Sequence, residues 1–227
     1  EFCNIRYWDN KYRDNNRSYV LNEFIQEKLG PFSIGRNLRY GLMEYMGYTS
    51  WVKMGDEEPL ETSSTDFKRR ANYWLSYSKP LVFSWHLLHY LGEDTIDKIM
   101  HDYYENWKFK HPYPENYFSY FRKHSDKNLD WYVNDTFYKT GVVDYSVSIK
   151  DKKAIFKNNG SLTLPFEAAF YDSRKKEISR QWFENITGMR IVSLPRGTKS
   201  IIIDPDETLP DVNRPNNATS KPLKFTW

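Results

Sequence analysis

The spacing of apolar residues changes near residue 144, and this change constrains the fold of the 227-residue chain more than any other feature. Upstream, apolar side chains recur every three or four positions, as Ile96, Ile99 and Tyr103 do, which is typical of one face of a helix. Downstream, they alternate with polar residues, which is typical of half-buried strands. The sequence therefore predicts an α+β multidomain protein, with an α-helical part followed by a small antiparallel β-sandwich.

We predict a helical domain over residues 1–143 and a β-sandwich-like domain with an extended C-terminal tail over residues 144–227. Length alone favours two domains and leaves one large domain open. The helices, about seven in number, are predicted over residues 19–30, 32–46, 67–75, 80–91, 95–107, 114–123 and 129–139. Strands are predicted over residues 144–149, 152–157, 161–170, 178–183, 189–194 and 200–204, with a further edge strand over 223–227. Pro80 is expected in the first turn of its helix, where its missing N–H costs no hydrogen bond.

The charge pattern argues against a nucleic-acid-binding protein. The sequence holds 33 Lys and Arg against 30 Asp and Glu, and the two signs are interspersed instead of gathered in a basic stripe. No run approaches the ~18 apolar residues that can cross a bilayer, so no membrane span is expected. The first residues do not form a leader, so any targeting signal is expected upstream. A single cysteine, Cys3, cannot form an internal disulfide.

Three separated parts of the sequence resemble one enzyme family. Residues 77–80 read YSKP, and residues 107–118 read WKFKHPYPENYF and are followed by NLDWYVNDTFYKTGVVDY at 128–145. Residues 203–217 read IDPDETLPDVNRPNN. The first string resembles the Tyr-x-Lys-Gly segment of zinc aminopeptidases of the gluzincin type, the membrane alanyl aminopeptidase-like family. The others resemble the end of the catalytic domain and the strand and loop that close the β-domain of those enzymes.

The resemblance implies the C-terminal part of a catalytic domain and the following β-domain of an enzyme that removes N-terminal residues from peptides. In that family a tyrosine hydroxyl donates a hydrogen bond to the oxyanion of the transition state, and the matching residue is Tyr77. A phenol suits this role because its pKa of about 10 keeps the proton in place at neutral pH. Pro80 stands where the family has glycine.

The HExxH motif that holds zinc in this family does not occur in the sequence. The resemblance therefore places the zinc and the general base on an upstream zinc-binding subdomain of a longer enzyme. No zinc is expected on this segment, and the segment alone is expected to be inactive. The implied partners are a peptide substrate and the upstream subdomain, and the implied location is exported, periplasmic or in the cell envelope.

The sequence predicts structural roles for two histidines and for one acidic string. His86 and His89 stand three residues apart on a predicted helix, but no third ligand is near them in sequence, so polar positions at the edge of a packing face are expected. The acidic string DEEP at residues 56–59 is expected to be a solvated loop. The alternative function is a non-catalytic peptide- or carbohydrate-binding or scaffold module that uses the abundant aromatic residues, or a degenerate peptidase homologue.

Overall fold

A computed structural model of the protein describes residues 42–220. These residues contain five α-helices: α1 Leu42–Lys53, α2 Ala71–Leu91, α3 Glu93–Trp107, α4 Pro114–His124 and α5 Asp130–Val133. One turn of π-helix, Asn134–Tyr138, continues α5, and a short 3-10 helix spans Arg214–Asn216. The helix predicted over 19–30, most of the one predicted over 32–46 and the edge strand predicted over 223–227 lie outside the described residues.

Helix α2 corrects the helix count. The two helices predicted over 67–75 and 80–91 are one helix of 21 residues, with Pro80 in its interior. An interior proline removes one backbone hydrogen bond and costs about 3 kcal/mol. Burial of apolar side chains on both sides of Pro80, among them Leu75 and Phe83, offsets this cost, since each is worth about 1.5–3 kcal/mol. The apolar stripe therefore decides the length of the helix.

The second part of the structure consists of two three-stranded antiparallel sheets. Their strands are β1 Tyr145–Lys150, β2 Lys153–Asn158, β3 Phe166–Tyr171, β4 Glu177–Phe183, β5 Met189–Ser193 and β6 Ser200–Ile203. The strand orders are β1-β2-β5 and β4-β3-β6. The six strands predicted within 144–204 are confirmed, although residues 161–165 precede β3 without joining a ladder.

Helices and sheets contribute to one cluster of buried side chains, in which aromatic rings are prominent. Phe156 of β2 contacts Phe166 of β3 and Phe183 of β4, with ring centroids 5.6 and 4.5 Å away. On the helical side, Tyr48 of α1 meets Phe83 of α2 edge to face. Aromatic side chains bury large areas, so a few of them fill much of this core.

Residues 204–217, which we name the closing loop, tie the parts together. The buried Asp204 carboxylate accepts hydrogen bonds from the backbone N–H groups of Thr208 and Leu209 and pairs with Arg214 at 2.8 Å. The Asp211 carboxylate accepts the Tyr145 N–H, and the backbone carbonyl of Asp211 accepts the hydroxyl of Tyr45 on α1. The loop thus contacts the first described helix and the first strand.

Within residues 42–220, none of the helices combines the length and the apolar character that a membrane-spanning segment needs.

Candidate functional site

The first turns of α2 present three large aromatic side chains to solvent. Tyr73, Trp74 and Tyr77 are exposed, with Trp74 71% and Tyr77 58% accessible. We name these three residues the aromatic face. The hydroxyl of Tyr73 donates weakly to the carbonyl of Ser64, at 3.4 Å, whereas the Tyr77 hydroxyl has no hydrogen-bond partner among residues 42–220. A phenol on a rigid helix is therefore available to a ligand or to another part of a longer protein.

A buried ion pair lies on the same helix two residues after Tyr77. Lys79 is fully buried, and its Nζ donates to Glu57 Oε1 at 2.6 Å and to the carbonyl of Lys139 at 2.8 Å. The second carboxylate oxygen of Glu57 accepts the N–H of Gly141 at 2.8 Å. Burial lowers the pKa of Lys79, and the Glu57 carboxylate opposes this shift. The pair joins α2 to two loops.

The loop that carries Glu57 is not the solvated loop that its acidic composition predicts. The Glu57 side chain is 4% exposed, and Glu58 accepts hydrogen bonds from the Arg69 N–H and from the Asn72 side chain. Asp56 pairs with the Arg69 guanidinium at 2.6 Å. These carboxylates satisfy the backbone N–H groups of the turn just before α2 and the Asn72 side chain in its first turn, so they fix the segment that leads into the helix.

His86 is also more deeply placed than predicted. His86 is buried where α2 packs against the β-strand part of the structure, residues 145–203, and its Nε2 donates to the carbonyl of Pro165 at 2.7 Å. This bond leaves the lone pair on Nδ1, which lies 3.1 Å from the Thr208 hydroxyl. Burial lowers the pKa of His86 to about 4. The single proton of the Thr208 hydroxyl is shared between Nδ1 and Asp204 Oδ1, which is also 3.1 Å away, and the neutral imidazole serves the packing of α2 against the closing loop.

His89 meets two carboxylates that sequence reasoning missed. Its Nε2 lies 3.4 Å from Glu167 and 3.7 Å from Asp206, and the ligand atoms of the three residues all lie within 4.8 Å of one another. Glu167 belongs to β3 and Asp206 to the closing loop, so no local pattern connects them with His89. The cluster borders a cleft of about 250 Å³ lined by Trp85, Leu88, His89, Gly92, Glu93 and Thr208.

Arg180 of β4 already supplies the cation of this cluster. One of its guanidinium nitrogens, Nη1, bonds Glu167 at 3.2 Å and also contacts Asp206. A metal ion at this position would have to displace the guanidinium. The spacing could accommodate a divalent ion, but the ion pairs satisfy the carboxylates without one, so the geometry supports a link between α2 and the β half.

Comparison with known proteins adds no further constraint: the chain matches no family model and no curated protein. The role predicted for Tyr77 therefore stays a prediction, and it depends on the sequence motifs and on the exposure of the aromatic face.

Proposed function

We propose that this chain is the C-terminal part of the catalytic domain, with the following β-domain, of a zinc-dependent aminopeptidase of the gluzincin type. The observation that carries the proposal is the exposed hydroxyl of Tyr77, which has no partner among residues 42–220 and stands in the string that resembles the family's tyrosine segment. In this role Tyr77 donates a hydrogen bond to the oxyanion that forms when the peptide carbonyl is attacked. Localisation outside the cytoplasm is part of the same proposal.

The described residues do not fit the catalytic zinc. The sequence has no HExxH, and the Arg180 guanidinium already neutralises the mixed cluster around His89. In this proposal the zinc ligands and the general base belong to the upstream subdomain of the longer enzyme. The residues of this chain hold Tyr77 in place, because the buried Lys79–Glu57 pair anchors the next turn of α2.

The aromatic face supports a contact with that upstream subdomain and with the substrate. Large aromatic side chains at the surface are typical of recognition sites, since they bury much area at a low cost in side-chain entropy. Trp74 and Tyr77 are both more than half exposed. We propose that both side chains belong to this contact surface, with Tyr77 nearer the substrate as its proposed role requires.

We also propose that the two sheets pack face to face as a β-sandwich. The ring contacts of Phe156 with Phe166 and Phe183, which join β2 to β3 and β4, support this arrangement.

The test uses the longer reading frame that encodes this chain, expressed whole and assayed on amino-acid amides. Tyr77→Phe is expected to lower kcat by about 10²–10³-fold with little change in KM, because the lost hydrogen bond acts only in the transition state. Tyr73→Phe is the matched control, since it removes a hydroxyl from the same face, and it should leave kcat unchanged. An unaffected Tyr77→Phe enzyme, or a reading frame without HExxH, would overturn the proposal.

The second candidate is a non-catalytic module that binds peptide or carbohydrate. The observation that favours it is the same aromatic face, because exposed rings on one helix can stack against a sugar or an apolar side chain. Titration with oligosaccharides and short peptides, followed by tryptophan fluorescence, separates the two functions. A binding module requires the ring of Tyr77 and tolerates Tyr77→Phe, whereas the enzyme requires the hydroxyl.

A further inference from the structure

The outer surface of the sheet β1-β2-β5 combines lysines with apolar side chains. Register and alternation place nine residues on this surface: Ser146, Ser148, Lys150, Lys153, Ile155, Lys157, Met189, Ile191 and Ser193. We name it the lysine face. It contains no acidic residue, and its remaining polar side chains are serines.

The lysine charges are not compensated. Lys150 and Lys153 are directly opposite each other across the β1–β2 pair, an arrangement that is destabilising for like charges. Neither of them, nor Lys157, has an ion pair or a side-chain hydrogen bond within residues 42–220. The positive φ angles of 50° and 57° at Asp151 and Lys152 form a tight turn that adds a fourth lysine and one aspartate at the end of the hairpin, so the positive charges stay in excess there. A surface that retains such repulsion suits an anionic partner.

The same face exposes apolar side chains beside the lysines. Ile155 and Ile191 are direct cross-strand partners, and Met189 pairs with Lys157. Met189 is 65% exposed and Ile191 53% exposed. The partner must therefore accept apolar groups and ammonium groups over one flat sheet surface.

The remaining sequence does not supply the negative charge. Residues 1–41 contain seven Lys and Arg against five Asp and Glu, and residues 221–227 contain two lysines and no acid. Lysine is depleted at interfaces between proteins, whereas basic residues beside exposed apolar ones are the combination by which amphipathic helices bind anionic membranes, and the lysine face presents the same combination on a sheet. A segment of this chain and an ordinary protein surface therefore match the lysine face poorly.

We propose that the lysine face binds the surface of an anionic lipid bilayer. The ammonium groups of Lys150, Lys152, Lys153 and Lys157 lie against the phosphate and carboxylate groups of the lipids, while Met189 and Ile191 enter the headgroup region. No part of the chain crosses the bilayer in this mode of binding. The proposal is independent of the aminopeptidase function, since it uses none of the residues assigned to that function.

Co-sedimentation of the 227-residue protein with vesicles tests the proposal. The protein is expected to bind vesicles of phosphatidylcholine mixed with phosphatidylserine, to release them as salt rises, and to bind pure phosphatidylcholine weakly. Lys153→Glu/Lys157→Glu should weaken binding by at least about 25-fold, because each basic residue at an anionic surface contributes about fivefold. Ile191→Thr should weaken binding several-fold at unchanged net charge.

The matched control is Lys53→Glu/Lys98→Glu, which changes net charge equally on the helical half and should retain most of the binding. Thermal unfolding checks that each variant is folded, and Lys153→Gln/Lys157→Gln serves as a milder variant if the glutamates disturb the sheet. Equal weakening by the control pair would show that net charge alone acts and would overturn the proposal. Absence of vesicle binding would overturn it too, including the case in which the protein captures soluble polyglutamate instead.

Discussion

The two ends of helix α2 have opposite environments. In its first two turns the helix exposes Trp74 and Tyr77, whereas beyond Pro80 it is surrounded by other elements and buries Phe83, His86 and Leu87. The Lys79–Glu57 pair stands at the boundary between the two parts. The comparison teaches that a single helix can be held firmly along one part so that another part displays side chains in a fixed geometry.

The strongest way to break this arrangement is to remove one member of the buried ion pair. Lys79→Ala or Glu57→Ala leaves an unpaired charge in the core and should lower the free energy of unfolding by about 3–5 kcal/mol. Urea unfolding followed by circular dichroism measures the loss.

Lys79→Met/Glu57→Gln is the matched double variant. The side-chain amide that it introduces in place of the Glu57 carboxylate can still accept the Gly141 N–H, whereas the carbonyl of Lys139 loses its donor, so part of the stability should return. Arg69→Ala, which breaks the exposed pair with Asp56, should cost less than about 1 kcal/mol. A similar loss from Arg69→Ala and from Lys79→Ala would contradict the distinction between buried and exposed pairs.

A smaller effect is expected at the buried end of α2 when pH falls. The pKa of His86 is about 4 in the folded protein, against 6.5 for an ordinary histidine. Below pH 6.5 the unfolded chain therefore binds a proton that the folded protein does not bind. The stability that the neutral imidazole contributes is complete above pH 6.5 and is lost progressively towards pH 4, a change on the order of 3 kcal/mol.

Unfolding free energies of the wild type and of His86→Gln, measured from about pH 7 to about pH 4.5, isolate this contribution. The wild type should lose more stability than the variant over that range. His101→Gln, at an exposed position of α3, should follow the wild type. Parallel curves for wild type and His86→Gln would contradict the buried neutral state of His86.

The smallest effect is expected at the exposed end. Trp74→Ala should change the free energy of unfolding by less than about 0.5 kcal/mol, because surface substitutions away from caps, cores and ion-pair networks are nearly neutral. Thermal unfolding with Phe83→Ala as the buried counterpart on the same helix checks this, since that deletion should cost about 3–5 kcal/mol. A costly Trp74→Ala would mean that the aromatic face supports the fold.

The spacing of apolar residues was sufficient to predict where the strands lie. Alternation from Leu162 to Phe170 predicted one buried set of side chains, and Phe166, Ala168 and Phe170 of β3 are buried. Leu162 and Leu164 are buried too, although they precede the strand. The prediction at Pro80 was wrong, because a proline fits the first turn of a helix and is also tolerated in an interior where apolar burial on both sides exceeds its cost. Local propensity does not separate these two cases.

The ion pair and the histidine environments depended on distant partners. Glu57 reaches Lys79 across 22 residues and Gly141 across 84, and His86 reaches Thr208 across 122. One local signal was present, since Lys79 lies four residues after Leu75 and four before Phe83, on the apolar stripe of α2. A lysine at such a position requires a buried counter-charge, and only the fold identifies which acid supplies it.

The closing loop sets the order in which the protein can form during synthesis. Residues 204–217 supply Thr208 for His86, and Asp211 for both Tyr145 and Tyr45, so elements made early have contacts that depend on residues made late. A nascent chain in which Asp211 has not yet left the ribosome has α1 and β1 without these bonds. The final docking of helices on sheets therefore waits for the closing loop, and its rate is governed by long-range contacts instead of by the fast formation of the helices.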